Sequence, residues 1–294
     1  MTVCLKGQWP EGLGNGTETK LYWVNGAGNR FVLVDALSAA CAGSWLQAGA
    51  DWARTFAQYS IDWRNAEGHQ PDGLVLLLPP EGQGHVRMVI FNVDGSRPEA
   101  CGNALRCLTR VAFDEGLVSS PQFLVETDAG DRLVDALTHG ASQSLVSMGE
   151  PKLIDGALSL EVCGRTVRGI SISMGNPHFV VEANTVSELE VQVLGPALCA
   201  HPQFPNGTNV EFVFGGLDQP RVRVWERGVG ETEACGSGAC AVAHALFGTT
   251  LIRKPLTLKL SGGELLVGRD THGLWLQGGA QWDSLRLKDQ RITQ

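Results

Sequence analysis

Trp225-Glu226-Arg227-Gly228-Val229-Gly230-Glu231-Thr232-Glu233-Ala234-Cys235-Gly236-Ser237-Gly238-Ala239-Cys240 is the most informative stretch of this chain. A charged pair leads into a glycine-rich turn, and a cysteine then stands just before an Ala-rich helical pattern, Ala239 to Leu246. A cysteine at a helix N-terminus lies in the positive end of the helix dipole, beside outward-pointing backbone N–H groups. That position lowers a thiol's pKa and makes it usable as a base or nucleophile. The same N–H groups can hold a carboxylate or phosphate.

The arrangement occurs a second time. Asn92-Val93-Asp94-Gly95-Ser96-Arg97-Pro98-Glu99-Ala100-Cys101-Gly102-Asn103-Ala104-Leu105-Arg106-Cys107 also reads Glu-Ala-Cys-Gly, then a small polar residue, then a helix. Ala104, Leu105, Leu108, Val111 and Ala112 fall at helical spacing. The two Cys-Gly turns are 134 residues apart, about one ordinary domain length. Two similar halves are expected, each presenting a thiol and a helix N-terminus to a shared cleft.

Working outward, the flanking segments read as short strands. Leu21–Val24 and Phe31–Asp35 flank a turn at Asn25–Asn29. Residues 44–58, with Trp45, Leu46, Trp52 and Phe56, have helical periodicity. Leu74–Leu78 is a continuous apolar run of the kind a buried strand carries, and Val86–Asn92 delivers the chain to the first cysteine turn. Phe123–Glu126 and Arg132–Leu137 form a hairpin signal. Further strands are expected around 145–148, 158–162, 170–174, 179–181, 210–214, 222–225, 256–260, 265–267 and 274–277, with a short helix over 186–189. The expected fold class is α+β: two similar domains, each a curved, mostly antiparallel sheet around a central helix, with the active site in the cleft between them. The expected domains are residues 1–140 with the first cysteine and 141–275 with the second. Residues 276–294 would return to the first domain.

Composition narrows the function. The chain has 294 residues, 43% of them hydrophobic and 18% charged, which are globular values. A net charge of −8 argues against a nucleic-acid partner. No apolar run reaches a membrane span and no signal-peptide pattern opens the chain, so a cytoplasmic protein without membrane contact is expected. Eight cysteines in a chain of this length are not a disulfide scaffold, and the absence of Cys-x-x-Cys gives no support for a metal site. Cys4, Cys41, Cys107, Cys163, Cys199 and Cys240 read as small buried hydrophobes.

Five motifs together resemble the diaminopimelate epimerase family: Gly26-Ala27-Gly28-Asn29-x-Phe31, Asn92-x-Asp94-Gly95-Ser96 with Cys101-Gly102-Asn103, Met174-Gly175-Asn176-Pro177-His178, Gly207-Thr208-Asn209-Val210, and Glu226-Arg227 through Cys235-Gly236-x-Gly238-Ala239. They run in order from about residue 21 to the end. The resemblance implies a cofactor-independent isomerase that epimerises L,L-diaminopimelate to the meso form, for lysine and peptidoglycan synthesis, and that works as a homodimer. It implies Cys101 and Cys235 as the two acid/base residues, with His178 and Glu226 tuning them. Substrate binding would fall to Asn29, Asn92, Gly102, Asn103, Asn176, Asn209, Glu226, Arg227, Gly236 and Ser237. Neither a nucleotide fingerprint nor a pyridoxal-binding context is evident, so no cofactor is expected. Ala104, Arg30, Ser237, the segment 64–73 and the leader 1–20 depart from the family pattern.

Each of these residues has a plainer reading. Asn29 and Asn92 suit turns, His178 a structural hydrogen bond and Glu226 an ordinary ion pair. Rival functions are a same-fold racemase of proline, hydroxyproline or histidine, and a cysteine-dependent hydrolase with a single nucleophile.

Overall fold

The computed structural model describes residues 20–58, 69–139, 141–182, 184–216, 218–247 and 254–284. They fall into two units, one within Met1–Ser144 and Ala280–Gln294, the other within Leu145–Gly279. Both are strand-rich α+β units.

The first unit contains β1 (Lys20–Gly26), β2 (Asn29–Asp35), α1 (Ala39–Gln58), β3 (Gly73–Leu78), β4 (Val86–Asn92), α2 (Gly102–Asp114), β5 (Gln122–Glu126) and β6 (Arg132–Asp135). β1 pairs antiparallel with β2, β3 with β4 and β5 with β6, whereas β2–β3 and β4–β5 are parallel. The chain's last described strand, Gln281–Ser284, pairs antiparallel with β1. Parallel pairs need crossovers, and α1 and α2 supply them on the two faces of the sheet. That is why β3 is apolar at every position after its glycine and is buried throughout. Leu74, Leu76 and Leu78 pack with Trp45 and Trp52 of α1. The alternate residues Val75 and Leu77 point to the other face, and α2 packs against β1 to β4.

α1 begins at Ala39, five residues before the expected start. The carbonyl of Ser38 accepts from the N–H groups of Cys41 and Ala42, each at 3.0 Å. The first turn, Ala39-Ala40-Cys41-Ala42, has small side chains and so shows little periodicity in the sequence. The side chain of Phe56 lies outside the described residues, as do the leader 1–19 and residues 59–68 with the first half of the departing segment at 64–73.

The second unit runs β7 (Gln143–Gly149, from which the unit starts), β8 (Lys152–Val162), β9 (Arg165–Ser173), β10 (Pro177–Val181), α3 (Val191–Cys199), β11 (Asn209–Phe214), β12 (Arg221–Glu226), β13 (Gly230–Thr232), α4 (Gly236–Phe247), β14 (Leu256–Leu260), β15 (Gly263–Asp270) and β16 (Gly273–Gly279). β9–β10 and β11–β12 are antiparallel, with β10–β11 parallel through α3 and β12–β14 parallel through α4. This repeats the order of the first unit: antiparallel pair, crossover helix, parallel strand, antiparallel strand, cysteine turn, helix, parallel strand. The α3 side of the sheet is lined by Phe179, Val191, Leu194, Leu198, Phe204, Val210 and Phe212.

Two expectations need correction here. The short helix expected over 186–189 is a 3₁₀ turn at Glu188–Glu190 that leads into α3. Gly195-Pro196 carries a turn signal and concealed that helix, although Val191, Leu194 and Leu198 are buried at helical spacing. Gly195 is needed there, because a Cβ would lie 2.7 Å from the Trp225 ring. The other correction concerns Cys163, which is exposed at φ 50° in the β8–β9 turn. Cys41, Cys107 and Cys240 are buried as expected, Cys199 is half-buried, and Cys4 lies outside the described residues.

Candidate active site

In the first unit the β4–α2 turn sets Cys101 at the N-cap of α2. Its backbone is extended (φ −143°, ψ 117°), and its carbonyl accepts the first helical hydrogen bond, from Leu105 N–H at 2.9 Å. The half-buried thiol lies 4.0 Å from Asn29 Oδ1, and Asn103 Nδ2 donates to the same oxygen at 3.4 Å. Asn29 is held from its other end, because its Nδ2 donates to Asp72 Oδ2 at 3.2 Å. The β1–β2 turn therefore delivers Asn29 to the cysteine, and Asp72, just before β3, aims it. Beneath this group, the fully buried Arg106 donates to Asn103 Oδ1 at 3.0 Å. Gly26 lets the helix come this close: a Cβ there would sit 2.7 Å from the Asn103 carbonyl oxygen. Asn92 lies apart from these contacts. Its backbone N–H and its Nδ2 bond the carbonyl and hydroxyl of Ser96, closing the turn that precedes Cys101.

The second unit repeats the turn with a denser polar environment. Cys235 is 6% exposed, and its carbonyl accepts from Ala239 N–H at 2.9 Å, which starts α4. Its sulfur lies 3.4 Å from Ser237 Oγ and accepts from Gly238 N–H at 3.4 Å. Asn176 Nδ2 reaches Ser237 Oγ at 3.5 Å, and Asn176 Oδ1 lies 2.9 Å from His178 Nε2. His178 Nδ1 in turn lies 2.7 Å from Glu211 Oε1, and both side chains are fully buried. Glu226, at the end of β12, accepts from Thr232 Oγ1 at 2.5 Å and contacts the Cys235 thiol. Asn209 donates to the Pro177 carbonyl at 3.0 Å and accepts from Arg227 N–H at 2.9 Å. The Arg227 guanidinium donates to the Asn206 carbonyl through one nitrogen at 3.0 Å.

The electrostatics differ from the simple helix-terminus expectation. Burial first, then the carboxylates Glu226 and Glu211, push the Cys235 thiol well above its ordinary range. The Ser237 hydroxyl and the Gly238 N–H pull the other way and are outweighed. Burial also raises Glu226, helped by Glu211 and opposed by Thr232 and His178. These causes favour the thiol form of Cys235 over the thiolate.

Sequence reasoning missed Glu211, Asp72 and Thr232. The sequence signal for Glu211 was a lone carboxylate inside the apolar strand Val210-Glu211-Phe212-Val213-Phe214, every residue of which is buried. Among the described residues, no group of three or more His, Cys, Asp and Glu side chains is placed to hold a metal ion. Among the same residues, no helix is long and apolar enough to cross a membrane.

The diaminopimelate epimerase family model matches residues 22–154 and 170–281. The chain belongs to the diaminopimelate epimerase family. It is 39% identical over 259 residues to a diaminopimelate epimerase of Moorella thermoacetica, covering 83% of this chain and 89% of that protein. It is 35% identical over 259 residues to one of Pseudomonas syringae pv. tomato, covering 83% and 88%. Among solved structures, a hydroxyproline epimerase from Agrobacterium vitis superposes with a TM-score of 0.63 at 14% identity, covering 90% of this chain and 89% of that one. Methylitaconate-delta-isomerase superposes at 0.59 with 11% identity, covering 94% and 99%. These two likenesses are of fold alone. The α+β architecture expected for this family member from its sequence is therefore the observed one.

Proposed function

We propose that this family member converts L,L-2,6-diaminopimelate to the meso isomer by a two-base mechanism, with Cys101 and Cys235 as acid and base. The observation that supports it most directly is the recurrence of one device: in both units a parallel-crossover turn places a cysteine at the first helical carbonyl of α2 or α4. Epimerisation requires removal of a weakly acidic Cα proton and delivery of one to the opposite face. A thiol and a thiolate suit this, because a reference pKa of about 8.5 lets both forms exist near neutral pH. The raised Cys235 supplies the thiol, and Cys101 acts as the thiolate on the L,L isomer; the roles reverse for the meso isomer.

The first-turn N–H groups of Gly102, Asn103, Gly236 and Ser237 point out of their helix ends and stabilise the carboxylate as negative charge develops beside it. Asn29, held by Asp72, and Asn176, held by His178, orient the reacting amino-acid end, since an amide can both donate and accept. Asn209 completes the polar lining, and Asn92 contributes by closing the turn that precedes Cys101. Arg227 uses one guanidinium nitrogen on Asn206, which leaves the rest of its fork for the distal carboxylate. Glu226 accepts the ammonium group and modulates Cys235. A cytoplasmic homodimer is the form in which we expect this isomerase to work, feeding lysine and peptidoglycan synthesis.

Purified, reduced protein incubated with L,L-diaminopimelate, L-proline, trans-4-hydroxy-L-proline and L-histidine, each read by chiral chromatography, tests the substrate assignment. Formation of meso-diaminopimelate alone is expected. Turnover of proline or hydroxyproline without diaminopimelate would overturn it.

A further inference from the structure

Arg106 lies in the second turn of α2 with no exposed surface. A guanidinium is costly to bury, and this one is turned back toward the start of its own helix. Its Nη2 donates to Asn103 Oδ1 at 3.0 Å and its Nη1 to the Gly102 carbonyl at 3.4 Å. A guanidinium stays charged in a protein, and it only donates. The Asn103 atom that faces it can therefore only be the oxygen. That turns the Asn103 nitrogen to Asn29 Oδ1, at 3.4 Å.

The far end of the row is fixed independently. Asp72 is locked to β2, because its N–H donates to the Arg30 carbonyl at 2.6 Å and its Oδ2 accepts the Arg30 N–H at 2.7 Å. A main-chain N–H can only donate, so that oxygen is an acceptor, and the Asn29 atom 3.2 Å from it is the nitrogen. Asn29 Oδ1 is left facing Asn103 and the Cys101 sulfur, 4.0 Å away. Reversing either amide, or both, would set like atoms face to face at two of the three contacts in the row. We propose that Arg106 is a positioning residue for Cys101: with Asp72 at the other end, it sets the direction of the row Arg106–Asn103–Asn29–Asp72, so that the amide beside the thiol presents a hydrogen-bond acceptor.

The direction decides which end of an amino acid fits there. A carbonyl oxygen repels a carboxylate and holds an ammonium group. The reacting end of the substrate therefore places its ammonium group on the Asn29 side of Cys101, which leaves its carboxylate to the N–H groups at the start of α2. This role in turnover rests on the epimerase reading above; the direction of the row does not.

The direct test is neutron diffraction from a crystal of the reduced wild-type protein exchanged into D₂O. Deuterons on the Asn103 atom facing Asn29, and on the Asn29 atom facing Asp72, are expected. Deuterons on the Asn29 atom facing Cys101 would overturn the proposal, whether or not any variant folds. Kinetics on diaminopimelate test the role. Arg106→Gln keeps a polar side chain but can turn either end of its amide to Asn103. It should lower kcat about tenfold, the worth of one hydrogen bond to a charged group, with KM changed less than about twofold. Arg106→Lys, which still only donates, should recover part of the rate. Each end alone sustains the direction, so Arg106→Gln combined with Asp72→Ala should lose about fivefold or more beyond the product of the two single losses. A double loss equal to that product, or a Lys variant no faster than Gln at equal Tm, would overturn the proposal. If the neutron map shows the expected direction but the wild type does not turn over diaminopimelate, the epimerase reading fails and the direction of the row stands.

Discussion

Gly26→Ala probes how closely α2 must approach the β1–β2 turn. The added Cβ would lie 2.7 Å from the Asn103 carbonyl oxygen and 3.2 Å from Cys107 Sγ. Ordinary van der Waals contact begins near 3.4 Å, so the first turn of α2 must retreat by several tenths of an ångström. The obstacle is helix backbone, which cannot swing aside as a side-chain tip can. Overpacking of this kind costs about 1–3 kcal/mol, or a fall of roughly 3–10 °C in Tm. The same retreat moves Cys101 and Asn103 away from Asn29, whose present distances of 4.0 and 3.4 Å are already long. A displacement on the order of 1 Å at a reacting group can cost roughly 100-fold, so kcat/KM should fall by about 10- to 100-fold. Gly43→Ala is the control. Gly43 is exposed inside α1 and its Cβ would meet nothing within 4 Å, so that change should stabilise by about 0.5–1 kcal/mol. Differential scanning fluorimetry and a coupled epimerase assay read both effects. A Gly26→Ala protein with wild-type Tm and wild-type kcat/KM would show that the helix is not seated as described.

Other substitutions bear on separate parts of the account. Asp72→Asn weakens the hold on Asn29 and should lower kcat/KM by about 5- to 10-fold, the value of one charge-assisted hydrogen bond, measured by steady-state kinetics. Arg227→Lys loses the planar fork and should raise KM by about 10-fold or more while kcat changes little. Glu226→Gln removes a carboxylate that raises the Cys235 thiol, so iodoacetamide labelling of Cys235, followed by mass spectrometry, should begin at lower pH than in the wild type. Labelling that begins at the same or higher pH would contradict that assignment of causes.

The sequence disclosed those parts of the molecule that depend on local chemistry. The continuous apolar run Leu74–Leu78 read as a buried strand, and it is one. The twin Glu-Ala-Cys-Gly turns announced two helix N-termini, and both helices start one residue after the cysteine. What stayed hidden depends on contacts made across the sheet. α3 was concealed by Gly195-Pro196, whose meaning comes from the Trp225 ring that packs on Gly195. Glu211 was passed over because a lone acid in a strand ordinarily faces water; only the three-dimensional placement of His178 and Gly238 gives it a buried partner. The helix-dipole argument for Cys235 was sound in sign, yet burial and two carboxylates outweigh it. Asn29 and Asn92 looked alike in sequence, each beside a tight turn. In the structure one reaches the cysteine and the other closes its own turn on Ser96.

The two-thiol claim is tested most directly by proton NMR of L,L-diaminopimelate in D₂O with reduced wild-type protein, Cys101→Ala and Cys235→Ala, all confirmed folded by circular dichroism. The account predicts loss of the α-proton signal with appearance of the meso isomer for the wild type. It predicts that each single variant forms meso product at least about 100-fold more slowly, the lower range for loss of a general acid or base. Full epimerisation by either single variant would contradict it.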